Sequence, residues 1–297
     1  MSEAAIATQG LSKTYRGKAA LSELTLNVPK GALYGFLGRN GAGKTTTMKL
    51  LMGMIRPDGG AMQVLGRPII KEVDAVAVRR KVAFVSEEKE LYPFMTVEQT
   101  IRFTRPFFPT WRKDLEEKYL KRYRLPLDKA IPKLSKGMRT QLMLLLAMAR
   151  GAELLIMDEP TSGLDPAMTE EVLQELAALA AVEGLTVFFS SHQLTEVEQI
   201  CDSVALIDQG RLVIEGVLDD LKARYRRILL VFNGDAPREL ETLSGVDSLR
   251  VHGRTASLLA HENVDGLVQR AERMGSRSVE VRPVALKELF LDHMRED

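Results

Sequence analysis

The stretch Gly38-Arg39-Asn40-Gly41-Ala42-Gly43-Lys44-Thr45 constrains this chain more than any other: two glycines with four residues between them, then Lys and Thr. It lies between an apolar run, Ala32–Leu37, and a helical stretch, Thr45–Met54. A glycine-rich turn between strand and helix lets backbone N–H groups converge on phosphate oxygens, and the helix N-terminus adds a partial positive charge. Lys44 in this pattern reaches the β- and γ-phosphates, and the Thr45 hydroxyl completes a Mg²⁺ shell. The stretch predicts a nucleoside triphosphate site but leaves the use of hydrolysis open.

Other segments fit a fold around that loop. Val82–Val85, Leu154–Met157 and Thr186–Ser190 read as strands, and Thr140–Ala149, Glu170–Glu183 and Thr195–Cys201 as helices. Val204–Ile207 and Leu212–Ile214 flank Asp208-Gln-Gly210, which is hairpin chemistry. From about Val97 to Leu125 the spacing is helical, broken by Pro106 and Pro109, so a helical insert is expected over about 97–150. Interleaved strands and helices predict an α/β fold with a largely parallel sheet core. After about Lys222 the character changes. Ile228–Phe232, Leu249–His252, Thr255–Leu259 and Ser278–Val281 read as strands, with helices at Val264–Met274 and Leu286–Met294. This predicts one domain over 1–222 and a small, docked α+β domain over 223–297.

Composition narrows the class further. At 297 residues, 45% hydrophobic and 27% charged, the chain can bury a core without staples. Its single cysteine, Cys201, excludes a disulfide framework and fits a reducing compartment. The first residues lack the basic start and apolar stretch of a secretion signal, and the longest apolar run, Leu142–Ala149, falls short of the roughly 20 residues of a membrane span. Charge is segregated: residues 101–150 hold 13 basic and 4 acidic residues, whereas 151–200 hold none and 10. That pattern fits either complementary faces of adjacent elements or a basic surface that meets an anion.

Leu154-Leu-Ile-Met-Asp158-Glu159 is an apolar strand ending in two carboxylates. One suffices to support Mg²⁺; the second suits a general base for the attacking water. Upstream lies Leu134-Ser-Lys-Gly-Met-Arg139; downstream lie Ser162-Gly-Leu-Asp165 and Ser191-His192. These motifs, in this order, make residues from about 6 to 222 resemble an ATP-binding cassette ATPase, a P-loop NTPase fold with an antiparallel β edge and a helical subdomain.

The resemblance implies roles. Tyr15 stacks on adenine, and Gly38 to Thr46, including Thr46 itself, hold the phosphates. Thr45, Asp158 and Glu87 serve the metal, while Glu159, His192 and Lys44 are catalytic. Ser135, Lys136, Gly137, Met138 and Asp165 face the ATP of a second subunit in a head-to-tail dimer. Two positions depart from the family: Lys136-Gly137-Met138 replaces Gly-Gly-Gln, and Glu87 stands where a Gln is usual. His252, His261 and His293 lie outside the motifs and read as surface or packing residues. The resemblance further implies separate transmembrane subunits, placement at the cytoplasmic face of a membrane, transport in the export direction, and no direct nucleic-acid partner. Phe103, Phe107, Phe108 and Trp111 either dock the membrane subunit or form a core cluster. A soluble ATPase of the same fold acting on nucleic acid or ribosomes is the alternative; a simple nucleotide kinase leaves the later motifs unexplained.

Overall fold

The computed structural model describes residues 3–88 and 91–293, the side chain of His293 excepted. Met294 of the expected last helix lies outside them. Two compact units emerge, Met1–Glu215 and Gly216–Asp297.

The first unit opens with a long hairpin, β1 (Ala4–Tyr15) and β2 (Lys18–Pro29), joined by β4 (Gly59–Val64) and β5 (Arg67–Pro68) into an antiparallel sheet of order β2-β1-β4-β5. Neither long strand was assigned from pattern alone. Leu21, Leu24, Leu26 and Val28 of β2 are buried, but register shifts against β1 and a positive φ at Glu23 break the two-residue period.

The second sheet holds β3 (Leu33–Leu37), β6 (Val82–Val85), β7 (Leu154–Met157), β8 (Thr186–Ser191), β9 (Ser203–Asp208) and β10 (Arg211–Val217), in the order β10-β9-β3-β8-β7-β6. Strands β9, β3, β8, β7 and β6 run parallel. Every residue of β3, β7 and β8 is buried, as in strands covered on both faces, and β7 is apolar throughout. Ile6, Leu26, Phe36, Met48, Ile156 and Phe188 share one core.

Helices α1 (Lys44–Leu51) and α2 (Glu72–Lys81) follow β3 and β5. Helix α1 stops short of the expected Met54, because Met54 N turns back to Lys49 O at 2.9 Å. Between β6 and β7 the chain leaves the sheet as an insert of α3 (Val97–Thr104), α4 (Lys113–Tyr123) and α5 (Lys136–Ala149). It returns beside the amino end of β6: Glu153 N donates to Lys81 O at 2.8 Å, and the two side chains pair at 2.5 Å. Helix α5 begins at Lys136, four residues before the apolar period, because the Ser135 hydroxyl caps it by accepting from Met138 N at 3.1 Å. Helix α6 (Pro166–Glu183) likewise starts early, with Asp165 as cap and Pro166 in its first turn. Lys118 and Arg122 of α4 pair with Glu183 and Glu175 of α6 at 2.6 and 2.5 Å. Part of the charge segregation thus lies in facing helices. Helix α7 (Leu194–Ile200) seats Val197 against Gly35 of β3, where an added Cβ would sit 2.6 Å from a Val197 methyl.

The second unit contains α8 (Leu218–Arg224), β11 (Arg226–Phe232), β12 (Val246–His252), β13 (Thr255–Ala260), α9 (Val264–Arg273), β14 (Ser276–Pro283) and α10 (Leu286–His293). Its antiparallel sheet runs β12-β13-β11-β14. Ile228, Leu230 and Phe232 pack with Leu258 and with Leu267 and Ala271 of α9. Arg227, just before Ile228, pairs with buried Asp292 and with Glu288 of α10. His261 binds Asp247 at 2.6 Å and stacks on Tyr225, while His252 is exposed at the end of β12.

Candidate active site

The carboxyl ends of β3, β6 and β7 open on one cleft of about 270 Å³, with the end of β8 alongside. Ala20, Arg39, Asn40, Gly41, Gly43, Lys44, Thr45, Thr46, Glu87, Asp158 and Glu159 line it. A crevice at strand carboxyl ends is where parallel α/β sheets bind ligands. Gly43 adopts φ +110°, and a Cβ there would stand 2.6 Å from Ala20 O, so only glycine fits. A Cβ at Gly38 would meet Ile207 O at 2.6 Å, and Ala42 is buried behind the loop.

Lys44 is buried, and its ammonium donates to Gly38 O at 2.7 Å, curling the loop around its own side chain. The same ammonium lies 3.1 Å from Glu159 Oε1. Thr45 Oγ1 donates to Asp158 Oδ2 at 2.6 Å. Two serines at the end of β8, Ser190 and the Ser191 of the Ser191-His192 motif, hold side chains behind the cleft. Ser190 Oγ donates to Asp158 Oδ1 at 2.7 Å and accepts from Glu159 N at 2.9 Å. Ser191 Oγ donates to Glu196 Oε2 at 2.8 Å. The only signal for Ser190 was a wholly buried strand that turns polar before His192.

Glu159 sits in the left-handed region, φ +47°, a strained conformation for a long side chain that costs on the order of 1–3 kcal/mol. Its Oε2 lies 2.8 Å from His192 Nδ1. One carboxylate, nine-tenths buried, is thereby held between Lys44 and a half-exposed histidine. Glu87 stands on the cleft wall and accepts from Ser162 Oγ at 3.0 Å.

Three groups of expected residues lie off the cleft wall. Tyr15 is at the tip of the β1–β2 hairpin, half-exposed, with the Lys13 ammonium 5.6 Å from its ring centre. Ser135, Lys136, Gly137 and Met138 open α5 and meet the start of α6: a side chain at Gly137 would collide with Met168, and one at Gly163 with the Lys136 ammonium. Asp165, the cap of α6, accepts from Met168 N at 3.0 Å. Two helix N-termini and their exposed caps thus stand side by side. The aromatic residues of the insert divide. Trp111 Nε1 donates to Glu116 at 2.6 Å, and Phe108 lies under the Arg150 guanidinium at 4.2 Å. Phe103 and Phe107 instead join Tyr92 and Phe94 in an exposed chain of ring contacts at 5.4–5.5 Å.

Known proteins resemble this chain in sequence and fold. The family model described as ABC transporter matches residues 21–162, and a model described as an AAA domain matches 130–198. The chain is 35% identical over 226 residues to the bacitracin transport ATP-binding protein BcrA of Bacillus licheniformis, covering 75% of this chain and 73% of that protein. It is 32% identical over 296 residues to the Nod factor export ATP-binding protein I of Rhizobium etli, covering 97% and 92%. A dimeric ATP-binding cassette solved in a post-hydrolysis state with ADP and Pi shares the fold, with TM-score 0.65 and 20% identity over 72% of this chain and 98% of that one.

Proposed function

We infer the working of this chain from the family to which it belongs, the ABC transporter ATP-binding proteins: it binds and hydrolyses ATP, and hydrolysis drives transport through separate membrane-spanning subunits. The observation that carries the catalytic reading is the placement of Glu159, strained and held between Lys44 and His192 beside Asp158. In this reading the 38–46 loop cradles the phosphates with its N–H groups, and the Lys44 ammonium neutralises the β- and γ-oxygens. Glu159 accepts a proton from the attacking water, and His192 holds that carboxylate on one side while reaching the γ-phosphate on the other. Tyr15 stacks on the adenine.

Thr45, Asp158 and Glu87 offer an oxygen-only set of the kind that suits Mg²⁺, with Thr45 and Asp158 already 2.6 Å apart. Bound there, the ion would draw charge from the phosphate oxygens.

The reading extends to partners. A second copy supplies Ser135, Lys136, Gly137, Met138 and Asp165 to the ATP held by the first, which accounts for two exposed helix N-termini away from the chain's own cleft. The exposed rings of Tyr92, Phe94, Phe103 and Phe107, beside a groove of about 390 Å³, suit a cytoplasmic helix of a membrane subunit. No described helix is long and apolar enough to cross a membrane. The chain's likeness to ATP-binding proteins named for transport and export supports a place beside membrane subunits, on the cytoplasmic face. Export is the direction favoured, because relatives named for bacitracin transport and Nod factor export align with it, the latter across both units.

The test is Glu159→Gln with MgATP, followed by light scattering. Hydrolysis should fall by about 10²–10⁴ while ATP binding persists, leaving a nucleotide-held dimer absent without ATP. Hydrolysis at the unsubstituted rate would remove Glu159 from catalysis; a monomer that binds ATP would remove the trans role of Ser135.

A further inference from the structure

We propose that Glu196 is a positioning residue that locks the histidine loop and the Glu159–Asp165 loop to the sheet, so that His192 and Glu159 meet. The inference rests on the catalytic reading above but concerns a side chain that never faces the cleft. Glu196 is 3% exposed. Its Oε2 accepts two hydroxyl hydrogen bonds, from Thr161 at 3.0 Å and from Ser191 at 2.8 Å. Thr161 lies two residues after Glu159, and Ser191 immediately precedes His192. One oxygen therefore joins the two segments whose functional side chains touch at 2.8 Å.

The carrier of that oxygen is rigid. Helix α7 is pinned to β3 by the packing of Val197, the very next residue, against Gly35, and β3 feeds the phosphate loop. Ser191 Oγ also accepts from Gln193 N at 2.9 Å, and of its two possible acceptors Glu196 Oε2 at 2.8 Å is closer than Gln193 O at 3.4 Å. A buried carboxylate is costly to keep, and here its second oxygen, Oε1, has no hydrogen-bond partner among the described residues. Stability alone would favour an apolar side chain at this place. The arrangement makes sense if the oxygen is needed for the positions of the two loops, since a displacement near 1 Å can cost about 10²-fold in rate.

The experiment compares kcat and KM for ATP in Glu196→Met and Glu196→Gln with the unsubstituted protein, alongside Glu159→Gln. Glu196→Met removes the acceptor at similar volume and should lower kcat at least about ten-fold while KM stays within about two-fold, because the phosphate loop is untouched. Glu196→Gln should restore most of kcat, since both hydroxyls use one oxygen and an amide carbonyl can take its place. Thr161→Val with Ser191→Ala removes the same two bonds from the other side and should match Glu196→Met, which keeps the test open if that variant folds poorly. In a His192→Ala background Glu196→Met should cost far less than alone, as expected for groups acting through one another. Full activity of Glu196→Met beside an inactive Glu159→Gln would overturn this inference and leave the catalytic reading standing. Failure of Glu196→Gln to rescue would overturn the acceptor role, and equal, additive losses in kcat, KM and thermal stability would reduce Glu196 to a packing residue.

Discussion

At the scale of single residues, the site is built from competing charges held at fixed distances. Glu159, Asp158 and Glu87 all face one cleft, and each is answered by a donor: Lys44 and His192, Thr45 and Ser190, and Ser162. Glu87 is the least buried of the three and the one that departs from the family. Replacing it by Gln should preserve the bond from Ser162, since an amide oxygen can accept, while removing a charged oxygen from the metal set. The Mg²⁺ concentration for half-maximal hydrolysis at fixed ATP should rise roughly ten-fold; an unchanged titration would show that Glu87 holds the loop and not the ion. Residues with obligatory spacing, such as Lys44 after the glycines and Asp158-Glu159 at a strand end, were readable in the chain. Ser190, Glu196 and the bond that Ser191 makes to it were not, because a serine and a glutamate carry no spacing rule of their own. Their partners are supplied only when β8, α7 and the loop after β7 are brought together.

At the scale of elements, strands buried on both faces were legible as short apolar runs, and β3, β6 and β7 lie where the runs do. Helix starts were placed late because caps are polar and stand outside the apolar period, as at Ser135 and Asp165. The β1–β2 hairpin went unassigned because its bulges scramble the alternation. One close joint is α7 on β3. An added methyl at Gly35 would meet Val197 at 2.6 Å and the Cys201 sulfur at 3.0 Å. Gly35→Ala should therefore lower stability by about 1–3 kcal/mol, read in denaturant unfolding. Cys201 reports on the same joint. Burial pushes its thiol well above the ordinary range, and Asp202 adds to the effect. A thiol reagent at pH 8 should label the folded protein far more slowly than the unfolded one; prompt labelling would mean that α7 opens readily.

At the scale of the whole chain, every residue assigned to ATP chemistry belongs to the first unit, and the second has a sheet, a core and a buried ion pair of its own. Asp292→Ala removes one of the two carboxylates that face buried Arg227, leaving Glu288 at 3.3 Å, and should destabilise the second unit by about 1–3 kcal/mol. ATP affinity, measured by calorimetry, should stay within two-fold. The chain divides between Glu215 and Gly216, ahead of the change of character that the sequence shows near residue 222 as a run of short strands. The purpose of the second unit was not legible, because no cluster of reactive side chains marks it.

The insert between β6 and β7 carries one further consequence. It leaves at the carboxyl end of β6, after Val85, and returns at the amino end of the neighbouring parallel strand β7, at Leu154. The two strands pair directly from Val82–Leu154 to Val85–Met157, so the sheet does not register how long or how shaped the connecting chain is. That stretch can be inherited, lengthened or traded between relatives as a unit. A lineage could change which machine the ATPase drives without rewriting the motor.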